Sequence, residues 1–153
     1  MAVGEGFDVE LPWVSAQERA RAERIAEASG ATLWDAMSLD EVMGTLAGCT
    51  LAIGVDSGLA HLSGALKVPT VVVYGSTDSV LTGCRGPWVR NLQADFSCSP
   101  CKRRQCEYRG ALPIWQDSSI SPACYHSVPP EHVWRTAKSL VEEVGRADRL
   151  VSF

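Results

Sequence analysis

Asp56, Ser57 and Gly58 directly follow the apolar run 50–55, and His61 lies four residues beyond Ser57. That spacing is about one helical turn, so Ser57 and His61 share a face if a helix opens at Gly58. A serine near a histidine suggests a nucleophile. Here the G-x-S-x-G elbow is missing, because Ser57 follows Val55 and Asp56 rather than a glycine two back. A G-x-G-x-x-G dinucleotide loop is missing as well. The other chemistry is anion binding. A glycine at a helix start lets a ligand approach backbone N–H groups, and the helix dipole adds about 0.3–1 kcal/mol for a negative charge. Each charged hydrogen bond adds about 1.5–3 kcal/mol, so several N–H groups, the Ser57 hydroxyl and His61 would suit a diphosphate. Ordinary capping by Asp56 or Ser57, with His61 packed or solvated, explains the same residues.

A second set is thiol-based. Of six cysteines, Cys49 and Cys84 are isolated and read as small buried thiols. The others run Cys98-x2-Cys101-x4-Cys106-x17-Cys124. The first pair has zinc-knuckle spacing and the second does not repeat it. Four thiolates, or three with His126, are candidate ligands for a structural zinc. The alternatives are reduced thiols packing an irregular segment, or an adventitious disulfide. Lys102, Arg103, Arg104 and Arg109 make a basic patch beside them, suited to an anionic surface or to solvent.

The elements that must carry these residues are those of an α/β layer. The runs 50–55 and 70–75 are short and continuously apolar, as strands buried on both faces are. The stretch between them has room for one helix and a turn, which makes a right-handed βαβ unit. Residues 89–93 read as one more strand, and 7–11 as a half-buried strand. Two S-x-x-E capping boxes, Ser15 with Glu18 and Ser38 with Glu41, start helices, and Gly30 stops the first. Ala22, Ile25 and Ala26 give that helix a thin apolar stripe, and Val42, Leu46 and Ala47 give the second its inward face. Periodicity is lost over 95–128, and a closing helix is expected over about 129–147, with Val133, Ala137, Leu140, Val141 and Val144 inward. The expected fold is a Rossmann-like parallel sheet flanked by helices, in a single partial domain over 1–153 that looks short of strands at its start.

At 153 residues, 46% hydrophobic and 21% charged, the chain suits a soluble globular protein. A net charge of -4 weighs against nucleic-acid partners. Without a basic-then-apolar leader, or any apolar run near the roughly 20 residues that span a bilayer, a cytoplasmic location is expected.

The stretch GVDSGLAHLSGALKVPTVVVYGSTD, preceded by LPW and MSLDEVMGTLAGC, resembles the C-terminal half of the ADP-heptose:lipopolysaccharide heptosyltransferases, glycosyltransferase family 9, and lies nearest the heptosyltransferase I branch. The resemblance implies the donor-binding C-terminal domain of a GT-B glycosyltransferase, N-terminally truncated. It implies an ADP-heptose donor held by Asp56, Ser57, Gly58 and His61. Asp56 would lie near the heptose hydroxyls, and the helix start with His61 near the diphosphate. Glu18 falls where the family has a carboxylate for the ribose, and Met37 where it has a methionine against adenine, although Glu18 also serves as a capping residue. Thr77 and Asp78 belong to the same rim of loops. Many family members show a similar C-x-P-C-x-x-R-x-C stretch. The Kdo–lipid A acceptor and the catalytic base would belong to an absent N-terminal domain, so no catalytic residue is expected here and the isolated chain should be nearly inactive. No cofactor is required on this reading, and contact with the cytoplasmic face of the inner membrane is expected to be peripheral. The other classes open to the sequence are a metal-stapled binding module and an inactive truncated remnant.

Overall fold

The structure is a computed structural model that describes the backbone of residues 1–151 and the side chains of residues 1–147. The chain divides into two compact units, Met1–Gly44 and Thr45–Phe153.

In the first unit, strand β1 (Glu10–Leu11) pairs in parallel with β2 (Thr32–Leu33), and helix α1 (Ala16–Ser29) connects them. The strand expected over 7–11 shortens to its last two residues. The capping box that starts α1 is complete. Ser15 Oγ accepts from Glu18 N, and the Glu18 carboxylate accepts from Ser15 N at 2.8 Å and Val14 N at 3.1 Å. Gly30 ends the helix in the left-handed region at φ 78°. Of the expected stripe Ala22 is buried, while Ile25 stays 45% exposed. Trp34 is the large buried group. Its Nε1 donates to Glu10 at 2.6 Å, and its carbonyl accepts from Trp13 Nε1 at 2.7 Å. Helix α2 (Leu39–Gly48) starts with the expected Ser38–Glu41 exchange. It buries Leu46 and half-buries Val42, whereas Ala47 faces solvent.

In the second unit, β3 (Ala52–Val55), β4 (Thr70–Tyr74) and β5 (Val89–Gln93) form an all-parallel sheet in the order β3-β4-β5. Helix α3 (Gly58–Ala65) is the crossover between β3 and β4. β4 is the central strand and buries Thr70, Val71, Val72 and Tyr74, which is why its sequence shows no polar alternation. Helix α5 (Pro130–Val151) packs on β4 and β5, burying Trp134, Ala137 and Leu140. Burying the Leu140 side chain alone is worth roughly 1.5–3 kcal/mol. Ala60, Val72, Tyr74 and Cys84 make the core beneath α3, with Val89 packed against it. An added Cβ at Gly64 would stand 2.7 Å from the Arg85 carbonyl, so only glycine lets α3 lie this close to the chain before β5.

Helix α4 (Ser79–Thr82) is a single turn. The segment 95–128 is irregular, as expected. Its only regular pieces are a hairpin, β6 (Ile114–Trp115) with β7 (Ser118–Ser119), and a 3-10 turn at Ala123–Ser127. The α/β class, with a parallel sheet flanked by helices, is the one expected.

Candidate functional site

In parallel α/β sheets, the loops at the carboxyl ends of adjacent strands open toward one side, and ligands bind there. β3 and β4 are adjacent, with Val55 opposite Val73. The loops that leave them, Asp56–Ser57 and Gly75–Asp78, carry four of the eight predicted donor-site residues, and helix α3 carries Gly58 and His61.

Ser57 is the N-cap of α3. Its extended backbone (φ -154°) turns its hydroxyl onto the Ala60 N–H at 3.4 Å. His61 N closes the first backbone bond with the Ser57 carbonyl. Among the described residues the N–H groups of Gly58 and Leu59 take no hydrogen-bond partner, as the start of a helix dictates. Open space surrounds the place where a Cβ of Gly58 would stand. Two donors at the positive end of a helix dipole therefore face an unobstructed approach.

His61 reaches back to Asp56 rather than to Ser57. Nε2 and Asp56 Oδ1 are 3.1 Å apart, with the carboxylate mostly shielded and the imidazole about half exposed. A carboxylate on one ring nitrogen fixes the ring's orientation and leaves Nδ1 for a ligand. Asp56 Oδ2 has only a 3.5 Å contact, with Thr82 Oγ1, and so keeps acceptor capacity. The charge of Asp56 is felt inside the unit. Burial first, and Asp56 among lesser causes, pushes the Tyr74 phenol and the Cys84 thiol up. Tyr74 OH accepts from Cys84 N at 2.7 Å, and Cys84 Sγ donates to the Ala60 carbonyl at 3.2 Å. This buried link joins β4 to the first turn of α3.

Across the rim, Asp78 is itself an N-cap and accepts from Val80 N at 2.9 Å. Thr77 is half-buried in the loop before it. Gln93, absent from the expected set, secures this loop. Its Oε1 accepts from Ser79 N, and its Nε2 donates to the carbonyls of Tyr74 and Thr77 and to Ser99 Oγ. A glutamine ending an otherwise plain strand was the available signal. Thr82, also unforeseen, lies on the exposed face of α4.

Glu18 and Met37 belong to the first unit. Glu18 is fully exposed, and three bonds from Ser15 and Val14, the Ser15 backbone bond strongest, hold its carboxyl below the ordinary range. Met37 is half-buried in the connection before α2.

All four clustered cysteines line one cavity of about 440 Å³ in the second unit, together with Ser76, Phe96 and Tyr125. His126 is exposed and does not line it. Among the described residues no disulfide joins any of the six cysteines. Among the described residues, no three His, Cys, Asp or Glu side chains stand at metal-holding separations. Burial above all, then Cys98, pushes the Cys124 thiol up. Among the described residues, no helix is long and apolar enough to cross a membrane.

Residues 1–112 match the family model for glycosyltransferase family 9 (heptosyltransferase). The chain is 36% identical over 135 residues to lipopolysaccharide heptosyltransferase 1 of Pseudomonas aeruginosa, covering 84% of this chain and 37% of that protein. It is 42% identical over 96 residues to the Salmonella typhimurium protein of the same name, covering 62% of this chain and 29% of that one. Among solved structures it resembles E. coli heptosyltransferase WaaC with ADP, at a TM-score of 0.58 and 38% identity over 60% of this chain and 29% of that one. The same enzyme with ADP-2-deoxy-2-fluoro heptose gives a TM-score of 0.54 at 36% identity. The chain thus spans 37% of the length of the first of these curated relatives and 29% of the second.

Proposed function

The chain belongs to glycosyltransferase family 9, the heptosyltransferases, and from that premise we propose that its second unit binds the ADP-heptose donor for heptosyl transfer to the Kdo–lipid A region of lipopolysaccharide. The observation that carries the reading is the start of α3. There the N–H groups of Gly58 and Leu59, without a partner among the described residues, share the carboxyl end of the sheet with a histidine held by Asp56. The solved relatives with ADP and a fluorinated ADP-heptose support the ligand class.

In such a transfer the bond from the sugar's anomeric carbon to the diphosphate breaks, and the leaving ADP gathers negative charge. Fixed N–H donors placed where that charge develops lower the barrier without reorganising, and with both ring nitrogens protonated His61 adds a donor from Nδ1 while Nε2 stays on Asp56. The free oxygen of Asp56 accepts from a sugar hydroxyl, while its other oxygen keeps the imidazole turned toward the phosphates. Ser57 has its hydroxyl lone pair on Ala60 N and its own proton free to donate. Thr77 and Asp78 shape the opposite rim. No acceptor-side base is assigned to this chain, so by itself it binds donor without completing transfer. The reading requires no cofactor. It puts the chain in the cytoplasm, with the exposed run Lys102–Arg104 facing the anionic inner-membrane surface.

Calorimetric titration of ADP into the chain and into His61→Ala tests the reading. The substitution removes one hydrogen bond to a charged diphosphate, worth about 1.5–3 kcal/mol, and uncovers the Asp56 carboxylate to it. Affinity should fall roughly 10- to 140-fold at 1.4 kcal/mol per decade. Equal affinity for both proteins would refute the assignment of His61 to the diphosphate.

A further inference from the structure

Segment 95–128 packs an irregular chain around a cavity without a disulfide or an extended sheet to hold it. A loop this long in a compact unit needs a staple or a use. Cys98, Cys101, Cys106 and Cys124 come from both ends of the segment and line that single cavity. We propose that these four thiols bind one zinc ion as a tetrahedral tetrathiolate site that closes the segment.

Both ends are anchored to the same turn after β4. Lys102 N donates to the Ser76 carbonyl at 2.7 Å, and Ser99 Oγ donates to the Gly75 carbonyl at 2.7 Å. Cys124 Sγ lies beside Gly75, where an added Cβ would stand 3.2 Å from it. Glycine at that position leaves the sulfur its room. The knuckle pair Cys98–Cys101 is therefore held against the same turn as the distant Cys124. The donor set is soft, which suits zinc over magnesium or calcium. The carboxylate on the cavity wall, Glu107, is engaged by Arg103.

Charge and packing agree with this occupant. Four thiolates around a divalent cation retain two negative charges, and Arg103, Arg104 and Arg109 line the same cavity. The Arg103 guanidinium, paired first with Glu107, also feels Cys101 and Cys98. Phe96 and Tyr108 meet edge-to-face at 5.2 Å and, with Tyr125 and Pro122, wall the space with apolar surface. A void under such walls forfeits dispersion contacts, which a cation drawing the thiols together restores. The thiols ring the cavity without yet closing to ligating distance, so Cys98 and Cys106, the exposed pair, must move inward. On binding, each thiol releases its proton to solvent and a Zn–S bond of about 2.3 Å forms, with no electron transferred.

The test uses the full chain, fully reduced and stripped of metal, titrated with Zn²⁺ and separately with Co²⁺. Expected are one metal per chain, four of the six thiols shielded from a thiol reagent, and thiolate-to-cobalt charge-transfer absorption with tetrahedral d–d bands. Cys98→Ser and Cys106→Ser alter exposed side chains outside the core, and each should weaken binding at least tenfold. Cys49→Ser should leave it unchanged. Circular dichroism of each variant establishes folding, and the wild-type titration stands without the variants. The absence of thiolate-to-cobalt absorption would overturn the proposal. So would metal binding indifferent to both Cys98→Ser and Cys106→Ser.

Discussion

Gly64→Ala sets two physical effects against each other. On helix propensity alone it should stabilise α3 by about 0.8–1.0 kcal/mol. The packing opposes this. The new methyl would stand 2.6 Å from Cys84 Sγ, 2.7 Å from the Arg85 carbonyl and 3.2 Å from Val89 Cγ2. Two of these contacts are shorter than a Cβ tolerates, and one is with backbone that cannot turn aside. Overpacking costs typically 1–3 kcal/mol, and a backbone clash belongs at the upper end. The net is about 2 kcal/mol of destabilisation. At roughly 2–4 °C per kcal/mol for a chain of this size, Tm should fall by about 4–8 °C in a thermal melt followed by circular dichroism. The displaced helix also carries Gly58 and His61, so ADP affinity should fall with stability. An unchanged or raised Tm would refute the close packing of α3 against the chain before β5, and with it the frame that fixes the site.

Gly58→Ala is the matched opposite: nothing lies within 4 Å of its new methyl, so Tm should hold or rise slightly while calorimetry shows weaker ADP binding. Unchanged ADP affinity would mean that no ligand approaches the backbone there. Glu18 and Glu41 are held below the ordinary carboxylate range by bonds from their N-caps. Their contribution is therefore complete above that range and is lost as pH falls through the depressed folded-state values. A Glu18→Gln/Glu41→Gln double variant should lose less stability than the parent between about pH 6 and pH 3, and parallel melting curves would contradict the capping account.

Local signals were legible in the sequence. The pairs Ser15–Glu18 and Ser38–Glu41 lie within one turn, and both bond as their spacing implies. The valine run of β4 and the apolar stripe of α5 reflect burial that a single element determines. β2, α4 and the β6–β7 hairpin escaped, because pieces of two to four residues outside any longer apolar run are too short to show a period. Ile25 and Ala47 look inward by spacing and are exposed, since a stripe states which face could be buried and not whether anything covers it. In the site, the helix start at Gly58 was evident, but the partner of His61 was not. Spacing pointed to Ser57, whereas the extended backbone at Ser57 directs that hydroxyl to Ala60 N and leaves the imidazole to Asp56. Gln93 and Thr82 depend on which strand ends are neighbours, a tertiary fact that no local pattern carries.

The central claim is that the start of α3 holds a diphosphate, and the most direct measurement compares ADP with AMP by calorimetric titration of the unmodified chain. The account predicts that binding requires the second phosphate, with ADP at least tenfold tighter than AMP, since the β-phosphate gains one or more charged hydrogen bonds at about 1.5–3 kcal/mol each. Equal affinities, or no heat from either nucleotide in a folded chain, would contradict it.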